Sequence, residues 1–315
     1  MRLMNDIRRL IGEKVGRFPE IGMDLRTLSN FRIGGLADYY FEAATLDELR
    51  AVIAASRDAG IRYYVIGGGF NLLFDDAGFR GLIIRNGCRG LEFDPVSIRL
   101  TALGGTLLSN LAVFCRDRGL GGLEFLAGIP GTVGGAVYGN AGAFGRSIGE
   151  LLEEALLLDS RGSEHRVLAP DDFDFGYRDS RLKRTREIVL SAVFRPIPGE
   201  ETAVGACMDA YLALRAERHP DPGMAYAGSF FKNPPGPDGK RLPAGKLLEE
   251  VGAKQLTVGG AAVYHGHGNF LYNRGDATAA DVRNLAAILK ARVKERFGVE
   301  LEEEVIFLPA EPGAV

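Results

Sequence analysis

Gly121–Gly145, GGLEFLAGIPGTVGGAVYGNAGAFG, decides how this chain is read. Nine of its 25 positions are glycine and most others are small or apolar, so the backbone can approach a bound group closely and enter φ > 0 without a Cβ clash. A flexible linker would be polar and rich in Ser or Pro, whereas Leu123, Phe125, Leu126, Ile129, Val133 and Val137 are interleaved here. The stretch is therefore expected to be an ordered, largely buried loop whose amide N–H groups need an acceptor. A ligand's phosphates or a flat heteroaromatic ring would supply one. By itself the loop does not name the ligand.

Working outward, the chain of 315 residues exceeds the usual single-core size and has 46% hydrophobic residues, so two or three domains with real cores are expected. A net charge of −3 offers no electrostatic footprint for nucleic acid. The N-terminal MRLMNDIRRL lacks the apolar core of a signal peptide, and no run of 18 apolar residues could span a bilayer. No membrane association and a cytoplasmic location are the expectations. Cys88, Cys115 and Cys207 are odd in number and far apart, as suits reduced thiols acting as small hydrophobes.

Upstream, residues 5–17 read as a short charged helix and Ala37–Glu42 as a strand. Thr45 and Glu48 form a capping box for a helix that Gly60 stops. Tyr63–Ile66 is a strand that runs into a second glycine-rich turn, Gly67-Gly68-Gly69-Phe70-Asn71. It is not a dinucleotide fingerprint, because Leu72 stands where the third glycine belongs and no helical pattern follows. Strands are expected at Gly81–Arg85 and Ser97–Ala102, and an amphipathic helix at Thr106–Arg118.

Downstream, Glu154–Asp159 and Glu164–Leu168 read as strands joined by a Ser160-Arg161-Gly162 turn, and Glu187–Arg195 as a further strand. Pro196–Glu201 marks a boundary. Beyond it, Glu201–His219 is helical, a short helix ends near Val251, and strand-like pieces surround Gln255–Val258 and Asn269–Tyr272. Thr278 caps a long helix that Gly298 ends before a strand, Val299–Leu308.

In this order, Phe31-Arg32-Ile33-Gly34-Gly35, Gly67–Leu73, Gly122–Gly145, Tyr177-Arg178-Asp179-Ser180, Ala227–Pro234, His267-Gly268-Asn269-Phe270 and Leu301–Val305 make a specific set. The set resembles the UDP-N-acetylenolpyruvoylglucosamine reductase family, also called UDP-N-acetylmuramate dehydrogenase, over nearly the whole chain. The resemblance implies an α+β protein. Residues 1–197 would be a FAD-binding domain of the PCMH or vanillyl-alcohol-oxidase type, made of two α+β subdomains split near 85–95. Residues 198–315 would be an α+β substrate-binding domain.

The implied reaction is reduction of an enolpyruvyl ether on UDP-N-acetylglucosamine to a lactyl ether in cell-wall synthesis, with noncovalent FAD and with NADPH as hydride donor. Hydride added to the terminal vinyl carbon pushes charge into the carboxylate, so cationic or proton-donating partners are needed. Arg178 and Glu304 match the family's pair for that task, and Ser229 its proton donor to the α-carbon. Lys232 is a candidate to stabilise the alkoxide. Tyr177, Lys232 and Asn233 match substrate contacts. Gly67, Gly68, Gly69, Phe70 and Asn71 match a pyrophosphate cradle, and Gly131, Thr132, Gly134, Gly135, Ala136, Asn140 and Gly142 surround the cofactor, mostly through backbone N–H.

Taken alone, these residues have blander readings: a surface ion pair for Arg178, a solvated acidic run for Glu302-Glu303-Glu304, a turn serine for Ser229 and a core position for Tyr177. His265 and His267, two apart on a possible strand, could share one side, but with no third ligand no metal is expected. His165 and His219 read as exposed loop residues. Phe70 stands where most of the family has serine, Gly139 replaces a usual methionine and Tyr264 a usual serine. Two rivals stay open: a flavin oxidase of the same fold acting on an alcohol or sugar, and a nucleotide-sugar-binding protein without catalysis.

Overall fold

The computed structural model describes residues 2–159, 165–221 and 223–312, so the expected Ser160-Arg161-Gly162 turn lies outside the described residues. The chain is α+β and forms two compact units, neither continuous in sequence. Unit 1 comprises residues 1–22, 38–68 and 81–215, and unit 2 comprises 23–37, 69–80 and 216–315.

Unit 1 holds most of a four-stranded sheet in the order Glu20–Asp24, Leu36–Ala43, Phe79–Asn86, Tyr63–Ile66. Its helix Leu46–Asp58 starts where Thr45 Oγ1 accepts the Glu48 amide at 3.2 Å. The reciprocal half of the expected capping box is shifted by one residue. Glu48 takes the Ala44 amide at 2.8 Å, and its two oxygens also receive the Arg17 guanidinium at 2.7 and 2.8 Å. Leu49, Val52 and Ile53 turn inward at helical spacing and are fully buried, each contributing roughly 1.5–3 kcal/mol over an exposed position.

The second sheet of unit 1 runs His165–Leu168, Leu152–Leu158, Ile188–Phe194, Arg99–Leu103, Leu91–Asp94, antiparallel throughout. Against it pack the helix Leu108–Arg116 and most of the glycine-rich stretch, whose Leu123, Phe125, Leu126, Val133 and Val137 share one buried core. That stretch is not all loop. It contains a short 3-10 turn, Glu124–Leu126, and a helix, Val133–Gly139. Cys88 and Cys115 are buried, and burial pushes their thiols up to about 11 and about 12, as expected of small hydrophobes.

Unit 2 is built on a four-stranded antiparallel sheet, Ala225–Tyr226, Leu271–Asn273, Ala261–Val263, Thr257–Val258. The helix Ala279–Phe297 packs on it through Val282, Leu285, Leu289 and Val293. Thr278 and Asp281 form its capping box, and Gly298 at φ +68 ends it. Phe31, Ile33 and Leu73 from the N-terminal half complete this core. The expected strand Val299–Leu308 is regular only at Ile306–Leu308, which pairs in parallel with Leu72–Phe74. Residues 299–305 bond instead to a neighbouring irregular segment, described below.

Candidate active site

Arg178 lies in a tight turn of unit 1. Gly176 and Asp179 exchange backbone hydrogen bonds, 3.0 Å from the Gly176 amide and 3.3 Å from the Asp179 amide, which leaves Tyr177 and Arg178 at the tip. Arg178 has φ +55, in the left-handed region that a side chain rarely occupies. Three contacts hold the turn in place. Asn140 Nδ2 donates to the Gly176 carbonyl at 2.9 Å, Ser180 Oγ to the Tyr138 carbonyl at 2.7 Å, and Lys183 Nζ to the Arg178 carbonyl at 2.6 Å.

Arg184 binds both Asp174 and Asp179, and the half-buried Arg178 guanidinium carbon lies 5.6 Å from the Tyr177 ring centroid. Tyr177 is 37% exposed, so it is not a core tyrosine.

The predicted cofactor residues of unit 1 meet one another. Thr132 caps the helix Val133–Gly139 by accepting the Gly135 amide at 3.3 Å, and a Cβ on Gly67 would stand only 2.4 Å from that same Oγ1. The two glycine-rich stretches therefore touch at a point where only a glycine fits. Gly134 presses on the Gly104 carbonyl, to which its amide donates at 2.8 Å, and the Ala136 amide bonds within the helix to the Thr132 carbonyl at 2.9 Å.

These amides are already engaged with protein acceptors, so Gly134, Gly135 and Ala136 can serve a bound group through close approach rather than through N–H donation. Asn140, at φ +44, ends the helix. Its side chain joins Gly149, whose amide it accepts at 3.2 Å, to the Arg178 turn. Gly131 and Gly142 lie in the same stretch. A cradle whose backbone is closely approached at Gly67, Gly134 and Gly142 fits a flat, phosphate-bearing cofactor such as FAD.

Unit 2 carries Gly69, Phe70 and Asn71, and it brings Ser229 and Glu304 onto neighbouring segments. The Glu304 amide donates to the Phe230 carbonyl at 2.8 Å, and the Lys232 amide to the Glu302 carbonyl at 2.9 Å. Ser229 is half-buried and follows Gly228, which has φ +71. Asn71 fastens the Glu304 segment, with Nδ2 on the Glu304 carbonyl at 3.0 Å and its own carbonyl accepting the Ile306 amide at 3.1 Å.

The acidic run is not uniformly solvated. Glu302 and Glu303 are exposed and meet Lys232 at 2.5 Å and Lys290 at 3.4 Å, whereas Glu304 is half-buried. Lys232 is thus committed to Glu302 with a side chain only 16% exposed. Asn233 Oδ1 accepts the Ala244 amide at 2.9 Å, capping the helix Ala244–Glu250.

His265 and His267 do not lie on a strand but flank a turn. His267 Nδ1 accepts the Asn269 amide at 3.1 Å, and the ring meets Phe270 edge-on at 5.1 Å. Burial holds the His267 imidazole below its ordinary pKa, against the opposing pull of Glu249. His219 is half-buried, with its ring 5.1 Å from Phe270, rather than an exposed loop residue. Among the described residues no group of His, Cys, Asp and Glu has the makings of a metal site. The residue pattern did not single out Lys183, and it placed Asn269 in a motif without revealing its contact with Phe231, because each side chain bonds to the backbone of another segment.

Comparison with known proteins bears on both units. Residues 37–168 match the family description of a FAD binding domain, and residues 221–308 that of the UDP-N-acetylenolpyruvoylglucosamine reductase C-terminal domain. The chain is 42% identical to UDP-N-acetylenolpyruvoylglucosamine reductase of Geobacter metallireducens over 88% of this chain and 89% of that protein. It is 41% identical to the Solibacter usitatus protein of the same name over 90% and 95%.

The crystal structure of the reductase from Thermus caldophilus superposes with a TM-score of 0.75 at 32% identity, covering 93% of this chain and all of that one. The fold is accordingly that of a FAD-binding domain of the PCMH type joined to this family's C-terminal domain. From its sequence and its fold alike, the chain belongs to the UDP-N-acetylenolpyruvoylglucosamine reductase family of FAD-dependent oxidoreductases.

Proposed function

We propose that this protein catalyses NADPH-dependent reduction of UDP-N-acetylglucosamine enolpyruvate to UDP-N-acetylmuramate, in the cytoplasm, for peptidoglycan synthesis. Residues up to 197 serve FAD and residues 198–315 serve the nucleotide sugar. The supporting observation is the pairing of the Ser229 segment with the Glu304 segment, which ties a hydroxyl donor and a half-buried carboxyl to one short piece of backbone.

Gly67–Asn71 and Gly131, Thr132, Gly134, Gly135, Ala136, Asn140 and Gly142 would hold FAD, which when bound would supply the hydride-transfer chemistry between NADPH and the enolpyruvyl group. Everything else falls to the chain. Arg178 presents a planar, bidentate donor to the substrate carboxylate as negative charge builds there. Glu304, protonated, donates to the same carboxylate. Ser229 delivers the proton to the α-carbon, a transfer by a weak acid that demands close placement. Tyr177, Lys232 and Asn233 contact the nucleotide sugar.

The purified protein is expected to be yellow and to release FAD on denaturation, since no histidine or cysteine lies in either glycine-rich stretch to tether it. It is expected to oxidise NADPH in step with the enolpyruvyl substrate. Ser229→Ala should leave NADPH-driven flavin reduction nearly intact and slow reoxidation by substrate about 100-fold. Equal loss in both half-reactions would remove Ser229 from this role. A colourless protein that FAD does not reconstitute would favour a binding protein, and rapid oxygen consumption with an alcohol would favour an oxidase.

A further inference from the structure

The segment Phe230-Phe231, next to Ser229, belongs to no regular sheet, yet its backbone polar groups are satisfied, and three of the four go to one residue. The Phe230 amide donates to the Asn269 carbonyl at 2.8 Å. The Phe231 amide donates to Asn269 Oδ1 at 2.9 Å, and Asn269 Nδ2 donates to the Phe231 carbonyl at 2.8 Å. The fourth group, the Phe230 carbonyl, takes the Glu304 amide. A carboxamide carries the same donor and acceptor as a peptide unit, so the Asn269 side chain stands in for a neighbouring strand.

Asn269 is itself held. It is 3% exposed, and its amide is fixed on His267 Nδ1. The preceding Gly268 amide is fixed on Glu249 Oε1 at 3.0 Å. His267 is pressed against the helix Ala244–Glu250, where a Cβ on Gly245 would lie 2.5 Å from the imidazole Cε1. On the other side of the segment, the Phe230 and Phe231 rings are buried in the unit 2 core, 5.1 Å from each other. Before Ser229 stands Gly228 at φ +71, with open space where its Cβ would be. Ser229 thus sits between the permissive Gly228 and the Phe230-Phe231 backbone, three of whose four polar groups Asn269 holds.

The geometry points to Asn269 as a positioning residue that fixes Ser229 for proton delivery and sets its distance from Glu304 through the shared Phe230. This rests on the proposed role of Ser229. Asn269 touches neither substrate nor cofactor in this account.

The test compares wild-type holoenzyme with Asn269→Asp, which keeps an acceptor for the Phe231 amide and sets an oxygen against the Phe231 carbonyl. In the FAD-free protein, amide exchange at Phe230 and Phe231 should quicken at least about tenfold while the global melting transition is kept. In the holoenzyme, NADPH-driven flavin reduction should be unchanged. Reoxidation by the enolpyruvyl substrate should slow on the order of ten- to a hundredfold, with a larger solvent deuterium isotope effect.

Equal slowing of both half-reactions, or unaltered reoxidation despite faster exchange, overturns the role. If Asn269→Asp does not fold, His267→Phe, which removes the acceptor for the Asn269 amide while keeping an aromatic ring, should give the same split in milder form; its absence overturns the role too. Wild-type flavin that this substrate does not reoxidise overturns the functional reading and this role with it. Wild-type turnover with uniform loss in the variant overturns the role alone.

Discussion

An arginine at φ +55 costs on the order of 1 kcal/mol that a glycine would not, and it persists because Asn140, Ser180 and Lys183 fix the turn around it. Arg178→Gly should therefore unfold at equal or higher denaturant concentration than wild type, by up to about 1 kcal/mol. The same change should lower kcat/KM for substrate-driven flavin reoxidation about 100- to 1,000-fold. Stability and activity moving in opposite directions would mark the strain as kept for function; a loss of stability would show that the side chain's own contacts outweigh the backbone cost. His267 yields a prediction of a different kind. Burial lowers its pKa from 6.5, so the unfolded chain takes up a proton at this position before the fold does. Its stabilising contribution is complete above pH 6.5 and is lost as pH falls through the folded-state pKa. Between about pH 7 and about pH 5 the thermal midpoint of wild type should fall more than that of His267→Gln. Parallel curves would exclude the imidazole.

Among the elements, those with local punctuation were legible in the sequence. Thr45 and Thr278 start their helices, and Gly60 and Gly298 end theirs, because caps are read from four or five adjacent residues. Thr278→Ala should cost about 1 kcal/mol in denaturant unfolding, with flavin content unchanged. The helix Val133–Gly139 was not legible, since VGGAVYG has poor intrinsic helix propensity. Thr132 at its start, Asn140 at its end and the burial of Val133, Ala136 and Val137 hold it, and only the first two are local. The strand expected over residues 299–305 failed for the opposite reason. Its apolar and acidic residues fit a strand, but its partner is the short Phe230–Lys232 segment, which gives two backbone bonds rather than a ladder. At the site, motif order supplies the candidate residues. What Lys183 and Asn269 hold was not legible, although Asn269 stands in one of the motifs, because a contact to another segment's backbone leaves no pattern in the residues it serves.

For the whole molecule, nothing in the linear pattern announces that residues 23–37 and 69–80 pack with residues 216–315. A linear reading places one boundary after residue 197, whereas contacts group 198–215 with unit 1 and divide the Gly67–Asn71 turn between Gly68 and Gly69. Long-range packing has no local signature. A fragment ending at residue 215 would keep Phe31, Ile33 and Leu73 but lose Phe230, Leu285 and Leu289 from the core they share. That fragment is expected to bind a hydrophobic dye and aggregate, as measured by fluorescence and light scattering, whereas the intact chain should do neither.

The same interleaving sets an order of events during synthesis. Phe31 and Leu73 leave the ribosome more than 200 residues before Leu308 does, and at about 5–20 residues per second that is a wait on the order of ten to fifty seconds. Through that interval two greasy stretches of nascent chain have no permanent neighbours, so this protein is predisposed to escort by chaperones at birth, and its yield in a cell should track their supply.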